Sequence, residues 1–335
     1  FRACDVQAYS SREAGCTAAQ EAAFAIADMI DIVQGCVDKG LDIDAASTHM
    51  TFFFACYSDF FEEVAKFRAV RKVWAQILRE RFHVKNDKSL RMRIQVKTSA
   101  TTLPAQHPQL NIFRSGLQAL SAIFGGASGL NITCMDEAFS APTEDSARIA
   151  LLTGKVIEHE TGIVNVADPL AGSYYVERLT RDMEDAIWAY LKKIDEMGGW
   201  IKAIERGYPQ REIANVNIKE SHDLDSGKKI VVGVNKFQPE DSDTDPIEIF
   251  DQDPTPTVKE MTKRLKKLRK ERDNARVKDV LAQFREGVRG DGYLMPIMVD
   301  AAKALCTTSE IFGILKEELG EDHSCLIPPD WAKGA

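Results

Sequence analysis

The sequence predicts an α/β fold: four strand–helix units in a row, half the complement of a (β/α)8 TIM-type barrel, followed by a helical extension. Three observations point there. Short β-prone or strictly alternating runs take turns with amphipathic helical runs through the first half of the chain. Each run is about the length of a strand or of a crossover helix, the pattern of a parallel sheet. After residue 238 the composition changes to an acidic, Pro-rich stretch and then to helical periodicity alone.

The elements follow in order. Residues 2–9 read as a short strand, and 17–38 as a dense apolar helix with Phe24, Ile26, Ile30 and Val33. Residues 50–56 (MTFFFAC) form a β-prone aromatic run. Residues 58–82 form a strongly amphipathic helix carrying Phe60, Val64, Phe67, Trp74 and Ile77 at helical spacing. Residues 90–98 alternate strictly, 109–125 read as a helix closed by Gly125-Gly126, and 129–135 alternate again. A helix is expected from about residue 143, with Glu144 and Asp145 in the first turn, where the helix dipole favours acids. These units make a first region, 1–165.

Residues 166–238 read as a mixed helical segment, with a long helix from Val176 to Met197 and a short buried strand at 229–237 (KIVVGVNKF). Residues 239–256 hold Pro239, Pro246, Pro254 and Pro256 among acids without Lys or Arg, an extended linker. In 257–335, Thr257-Val258-Lys259-Glu260 has the form of a capping box opening one long helix to about residue 288. Two further helices follow at about 295–305 and 308–319. The basic run Lys263, Arg264, Lys266, Lys267, Arg269 and Lys270 reads as a solvated helix face.

Composition narrows the function. The 335 residues hold 43 Lys and Arg against 51 Asp and Glu, a net charge of -8, which argues against a general nucleic-acid binder. No apolar run approaches the roughly 20 residues that span a bilayer. The chain opens on Phe1-Arg2-Ala3-Cys4 without a basic or apolar leader, so no signal peptide is expected and a fragment or split gene is suggested. Seven scattered cysteines without a C-x-x-C pair suggest reduced thiols in a cytoplasmic protein. The six histidines lack ligand spacing, and no metal site is assigned.

Alternation carries further information. In 90–98 one face is Leu90, Met92, Ile94 and Val96, and the other is Arg91, Arg93, Gln95 and Lys97. A parallel strand covered on both faces should be nearly continuously apolar. The polar face therefore fits either an open sheet with one solvated side or a wet, ligand-bearing interior.

Several segments in collinear order resemble the large subunit of the coenzyme B12-dependent acyl-CoA mutases, the methylmalonyl-CoA mutase family. They are AYSSREAG (8–15), FRAVRKVWA (67–75), NIFRSGLQALSAIFGG (111–126), MDEAFSAPTEDSARIA (135–150), GIVNVADPLAGSYYVE (162–177), EMGGWIKAIERGYPQ (196–210) and VGVNKF (232–237). The resemblance covers nearly the whole chain. It implies the C-terminal half of the acyl-CoA-binding barrel, with the pantetheine arm running along a polar axis. It also implies adenosylcobalamin, bound mainly by a separate subunit, and a radical carbon-skeleton rearrangement of an acyl-CoA.

The resemblance implies site residues singly. Tyr9, Glu13, Ala14 and Gly15 match the family pattern at 8–15, but Ser10 stands where the family has a His that hydrogen-bonds the thioester carbonyl. A serine hydroxyl can donate that hydrogen bond but has no proton-transfer pKa near neutrality. Glu13 and Glu137, with Ala100, Ala138 and Ser140, match positions that face the cofactor. His49 and Thr51 stand where an Arg and a Ser contact coenzyme A, and His lacks the guanidinium fork. Lys97 and Ser128 occupy positions usually Gln, and Thr98, Ser99 and Thr133 belong to the substrate cavity. The departures suggest an acyl group unlike methylmalonyl, or a degraded site in a non-catalytic, structural subunit of a heteromer. The family's Asp-x-His-x-x-Gly signature is not met by Asp322-His323. The implied partners are an acyl-CoA, a small cobalamin-binding subunit and an N-terminal half-barrel, since four strands cannot close an eight-stranded barrel and their edges need partners.

Overall fold

The computed structural model describes residues 4–238, 247–251, 253–290 and 292–321. Residues 2 and 3 of the first expected strand, 239–246 and 252 of the expected linker, and Asp322, His323 and Cys325 lie outside the described residues. The chain divides into two compact units between Phe250 and Asp251.

The first unit is built on β1 (Cys4–Gln7), β2 (Met50–Cys56), β3 (Ile94–Thr98) and β4 (Gly129–Asn131). They form one four-stranded, all-parallel sheet in chain order. That order is compatible with part of a TIM-type barrel. The register sets Val6 beside Phe52, Phe52 beside Ile94, and Val96 beside Leu130. Because strand side chains alternate, these residues share one face. The helices α1 (Ala8–Glu13), α2 (Ala18–Asp38) and α3 (Ile43–Ala46) connect β1 to β2. The later connections are α4 (Phe60–Glu80) and α5 (Leu110–Phe124), and α6 (Glu144–Glu160) follows β4.

The apolar face of the sheet and the inner stripes of α2 and α4 make the main core. Trp74 meets Phe52 edge-on with centroids 5.2 Å apart, and Phe67 meets Phe54 at 6.1 Å. Three helix starts are capped by side chains: Thr17 forms a capping box with Gln20, and Asp59 and Thr143 accept backbone N–H groups of α4 and α6. The long α7 (Tyr174–Glu196) packs across α2 and α4. It is followed by α8 (Trp200–Glu205) and α9 (Tyr208–Asp225).

Four expectations for the first unit are corrected. The strand expected over 2–9 ends at Gln7, and Ala8 and Tyr9 open α1. The strand expected over 90–98 begins at Ile94, because Ser89, Leu90 and Arg91 donate their amides to Asn86, Asp87 and Lys88 in successive turns. The strand expected over 129–135 ends at Asn131, where side-chain bonds of Thr133 to Thr98 and of Ser115 to Thr133 replace the ladder. Residues 229–237 are not a buried strand. The Asn235 side chain accepts from Val231 N–H and donates to the Leu224 and Lys229 carbonyls, folding the segment into a turn with Ile230 and Phe237 exposed.

The second unit is helical: α10 (Thr255–Glu271), α11 (Asn274–Arg289), α12 (Met295–Lys303) and α13 (Thr308–Leu319). The long helix expected from Thr257 starts two residues earlier, where Asp253 accepts the Thr255 N–H, and the expected capping box is absent. It also breaks at Arg272–Asp273, because Asp273 caps a new helix through Ala275 and Arg276 N–H. Val277, Val280, Ala301 and Ala304 form the small core of this unit. The basic residues of α10 are exposed, as expected.

Candidate functional site

The second face of the sheet is polar. Its register brings together Asp5 with Thr51, Gln7 with Phe53, Phe53 with Gln95, Ala55 with Lys97, and Lys97 with Asn131. Gln7, Gln95, Lys97 and Asn131 keep some contact with solvent. At Gly129 an added Cβ would come within 2.0 Å of the Gln95 side-chain oxygen, so this face is crowded where β4 meets β3.

Sequence-expected residues gather at the C-terminal edge of the strands. Helix α1 begins directly after β1 and carries Tyr9, Ser10 and Glu13. The Tyr9 ring packs on Phe53 with centroids 5.4 Å apart, and Lys97 Nζ lies 5.4 Å from the Tyr9 centroid. Burial first, then the Glu13 and Glu137 carboxylates, holds the Tyr9 phenol well above its ordinary pKa, so it is neutral. Lys97 Nζ is 3.4 Å from Glu137 Oε1 in a pair that is partly screened by solvent. Glu13 Oε2 accepts the N–H groups of Ala100 (3.0 Å) and Thr101 (2.8 Å), while its Oε1 is buried without a hydrogen-bond partner. The Ser10 hydroxyl is on an exposed residue of the same helix. Ala138 is exposed in the loop that carries Glu137, and Ser140 there donates to the Phe250 carbonyl at 2.7 Å.

The end of α1 explains how this edge is held. Gly15 has φ +110°, a left-handed conformation that favours glycine, and an added Cβ would fall 1.8 Å from Asn217 Oδ1. Asn217 Nδ2 in turn donates to the Ala14 carbonyl at 2.7 Å.

Thr98, Ser99 and Thr133 are buried, and their hydroxyls already have protein partners. Thr98 Oγ1 accepts Thr133 N–H at 2.8 Å, Thr133 Oγ1 donates to the Thr98 carbonyl, and Ser99 Oγ lies 3.3 Å from Thr101 Oγ1. His49, Thr51 and Ser128 lie at the opposite, N-terminal edge. His49 is exposed just before β2, Thr51 Oγ1 donates to Asp5 Oδ1 at 2.6 Å, and Ser128 Oγ accepts Ile94 N–H at 3.3 Å. At ~3.3 Å per residue, strands of this length separate the two edges by roughly 15–20 Å.

Beneath the α1 edge is a group the sequence reading missed. Lys66 Nζ, fully buried, lies 2.6 Å from Glu21 Oε2, 2.5 Å from Glu63 Oε2 and 2.8 Å from the Ala55 carbonyl. Arg12 is 3.4 Å from Glu63 and 4.0 Å from Glu21, and Glu21 Oε1 accepts Ala55 N–H at 2.7 Å. Two cations thus offset two fully buried carboxylates. Burial, only partly countered by Lys66, pushes the Glu21 carboxyl up to about 7. The available signal was positional: Lys66 stands seven residues before Val73 and eleven before Ile77, on the apolar stripe of α4. The six described cysteines are free, and Cys16 and Cys56 are buried with thiols pushed up by burial.

Comparison with known proteins adds to this geometry. The family model for methylmalonyl-CoA mutase matches residues 1–321. The chain is 40% identical over 313 residues to the 2-hydroxyisobutanoyl-CoA mutase large subunit of Aquincola tertiaricarbonis, covering 93% of this chain and 55% of that protein. It is 38% identical to the mitochondrial methylmalonyl-CoA mutase of Mus musculus, covering 96% of this chain and 43% of that protein. It is 37% identical to the methylmalonyl-CoA mutase of Rhizobium meliloti, covering 96% and 45%. The chain therefore spans about half the length of the curated relatives it matches.

Proposed function

The chain belongs to the methylmalonyl-CoA mutase family, and we propose that it supplies the C-terminal half of an acyl-CoA mutase barrel, an isomerase active only in a complex. The complementing N-terminal half-barrel would close the sheet, and a separate small subunit would hold most of the cobalamin. Assembly and catalysis would take place in the cytoplasm; among the described residues no helix is long and apolar enough to cross a membrane.

The observation that carries this reading is the gathering of Tyr9, Ser10, Glu13, Lys97, Ala100 and Glu137 at the C-terminal edge, where parallel barrels keep their active sites. The residues fit adenosylcobalamin on one count in particular: Glu13 keeps a buried carboxylate oxygen without a hydrogen-bond partner. Glu13 and Glu137, with the backbone at Ala100, Ala138 and Ser140, would hold the cofactor's side of the site. The chemistry that adenosylcobalamin supplies when bound is radical initiation of a carbon-skeleton rearrangement.

The chain's own residues would bind and orient. His49, Thr51 and Ser128 lie at the edge where the coenzyme A portion would enter, and the polar face would take the pantetheine arm. The acyl thioester would then reach Tyr9 and Ser10. The Ser10 hydroxyl would donate a hydrogen bond to the thioester carbonyl, without transferring a proton. Tyr9, neutral and packed on Phe53, would form an apolar wall with a polar tip. Lys97 lies on the acyl side and is held by Glu137, so it would act there and not on the coenzyme A phosphates. Thr98, Ser99 and Thr133 would shape the cavity wall through their internal bonds.

The test is turnover by the complex reconstituted from this chain, a complementing half-barrel and a small cobalamin subunit, assayed on methylmalonyl-CoA, 2-hydroxyisobutanoyl-CoA and related esters. Ser10→Ala should lower kcat about 10²-fold or more, the cost of one lost donor at a reacting carbonyl. Full turnover by Ser10→Ala would remove Ser10 from this role. No turnover of any ester by a fully assembled complex would favour a structural subunit.

A further inference from the structure

We infer that Arg12 is a positioning residue, which clamps the helix carrying Tyr9, Ser10 and Glu13 to the buried ionic cluster beneath it. The functional weight of this inference rests on the role proposed above for those three residues; its structural content does not.

The connections are continuous. Arg12 is buried, although its neighbours Ser11 and Glu13 are partly exposed. Its guanidinium faces Glu63 at 3.4 Å, Glu62 at 3.7 Å and Glu21 at 4.0 Å, and it also donates to the Cys16 carbonyl. It therefore ties α1 to the first turn of α4, to the start of α2 and to the turn that follows α1 itself. The same guanidinium lies over the Tyr57 ring, 4.0 Å from its centroid. Tyr57 Oη donates to the Arg12 carbonyl at 2.8 Å and lies 2.8 Å from Thr101 Oγ1. Thr101 N–H donates to Glu13. Lys66, Glu63, Arg12, Tyr57, Thr101 and Glu13 thus form one unbroken path from the core to the carboxylate at the site.

The geometry assigns a reason to the cluster's cost. Burying four charges is expensive, and apolar residues of similar volume would often serve stability as well. A planar fork engaged on several sides fixes orientation in a way that an apolar contact cannot. Helix α1 has only six residues and no side-chain cap at its start, so it cannot hold its own position.

The test is hydrogen–deuterium exchange with peptide mass spectrometry on the full chain, in the assembly with which it purifies. The reporting amides are Ala14, Gly15 and Cys16, which donate to the Ser10, Arg12 and Ser11 carbonyls of α1, and Ala100 and Thr101, which donate to Glu13. Arg12→Met should speed their exchange about 10- to 100-fold, the loss expected for charge-assisted bonds. Amides in the last two turns of α4 and in α7 should keep their wild-type rates. Arg12→Lys retains a cation but not the fork, so it should fall between wild type and Arg12→Met. Unchanged exchange at 14–16 and 100–101, or equal loosening of α4 and α7, would overturn the inference. If Arg12→Met fails to fold, Tyr57→Phe still decides: loss of its hydroxyl should speed exchange at 100–101 severalfold, and no change there would overturn the path. The readout needs no cofactor, so a complex that binds no corrin would refute the proposed function and leave this result standing.

Discussion

Removing the Lys66 ammonium should have a large and pH-dependent cost. Lys66 lies within 2.6 Å of two fully buried carboxylates, Glu21 and Glu63, and Arg12 contacts them at only 3.4 and 4.0 Å. Lys66→Met leaves two buried negative charges against one cation. Breaking a buried pair in this way costs about 3–5 kcal/mol. The cluster can reduce the penalty by taking up a proton. In the wild type the Glu21 carboxyl is pushed up to about 7, so it is mostly ionised at pH 8. In the variant its pKa must rise further, and the folded variant binds a proton at pH 8 that the wild type does not. As pH falls from 8 to 6 the variant therefore regains part of its loss relative to wild type. The assay is urea unfolding at pH 8 and pH 6, followed by tryptophan emission, with Trp74, on the same helix as Glu63 and Lys66 and packed on Phe52, as a reporter. The double variant Lys66→Met, Glu21→Gln restores charge balance with Arg12 and Glu63, and its amide oxygen can still accept Ala55 N–H. It should recover at least half of the loss. A cost of Lys66→Met below about 1 kcal/mol at pH 8, or a cost that grows at pH 6, would refute this reasoning.

Other outcomes follow from the same structure. The wild-type first unit should lose stability as pH rises from about 4.5 through about 7. The sign is set by Glu21, whose raised pKa favours folding below its unfolded pKa and loses that contribution as it ionises; a melting temperature flat over that range would contradict it. The second unit should behave oppositely. Arg272 holds Glu310 down to about 2, so its contribution is present above the unfolded carboxylate pKa and is lost as pH falls toward 2. Glu310→Gln should remove that acid sensitivity, measured by circular dichroism. Gly15→Ala should destabilise the first unit by about 1–3 kcal/mol, because φ +110° and the 1.8 Å approach to Asn217 both oppose a Cβ; chemical unfolding measures it.

Much of the fold was legible because the apolar pattern here matches the element periods. The aromatic run 50–56 became β2, and the alternation of Gln95, Val96 and Lys97 became the two faces of β3. The errors have local causes. Residues 229–237 have strand composition, but Asn235 competes for their backbone groups and turns them outward. The helix beyond Thr257 has continuous helical composition, yet Asp273 offers a better start for a second helix. For the site, resemblance supplied the residues, and the geometry divided them between two edges of one sheet. Tyr9, Ser10, Glu13, Lys97 and Glu137 cluster at one edge, and His49, Thr51 and Ser128 lie at the other. The ionic cluster was missed although Lys66 falls on the apolar stripe of α4, because a Glu-x-x-Lys spacing on a helix ordinarily marks a solvated pair. Only the packing of α1, α2 and β2 over Glu63 and Lys66 removes them from water.

The most direct test of the central claim is a titration of adenosylcobalamin into a complex of this chain with the proposed complementing half-barrel and the proposed small cobalamin subunit, followed by corrin absorbance. Saturable bound corrin with all chains present, weakened when this chain is omitted or carries Glu13→Gln with Glu137→Gln, is the expected result. Absence of bound corrin from the full assembly would contradict the account.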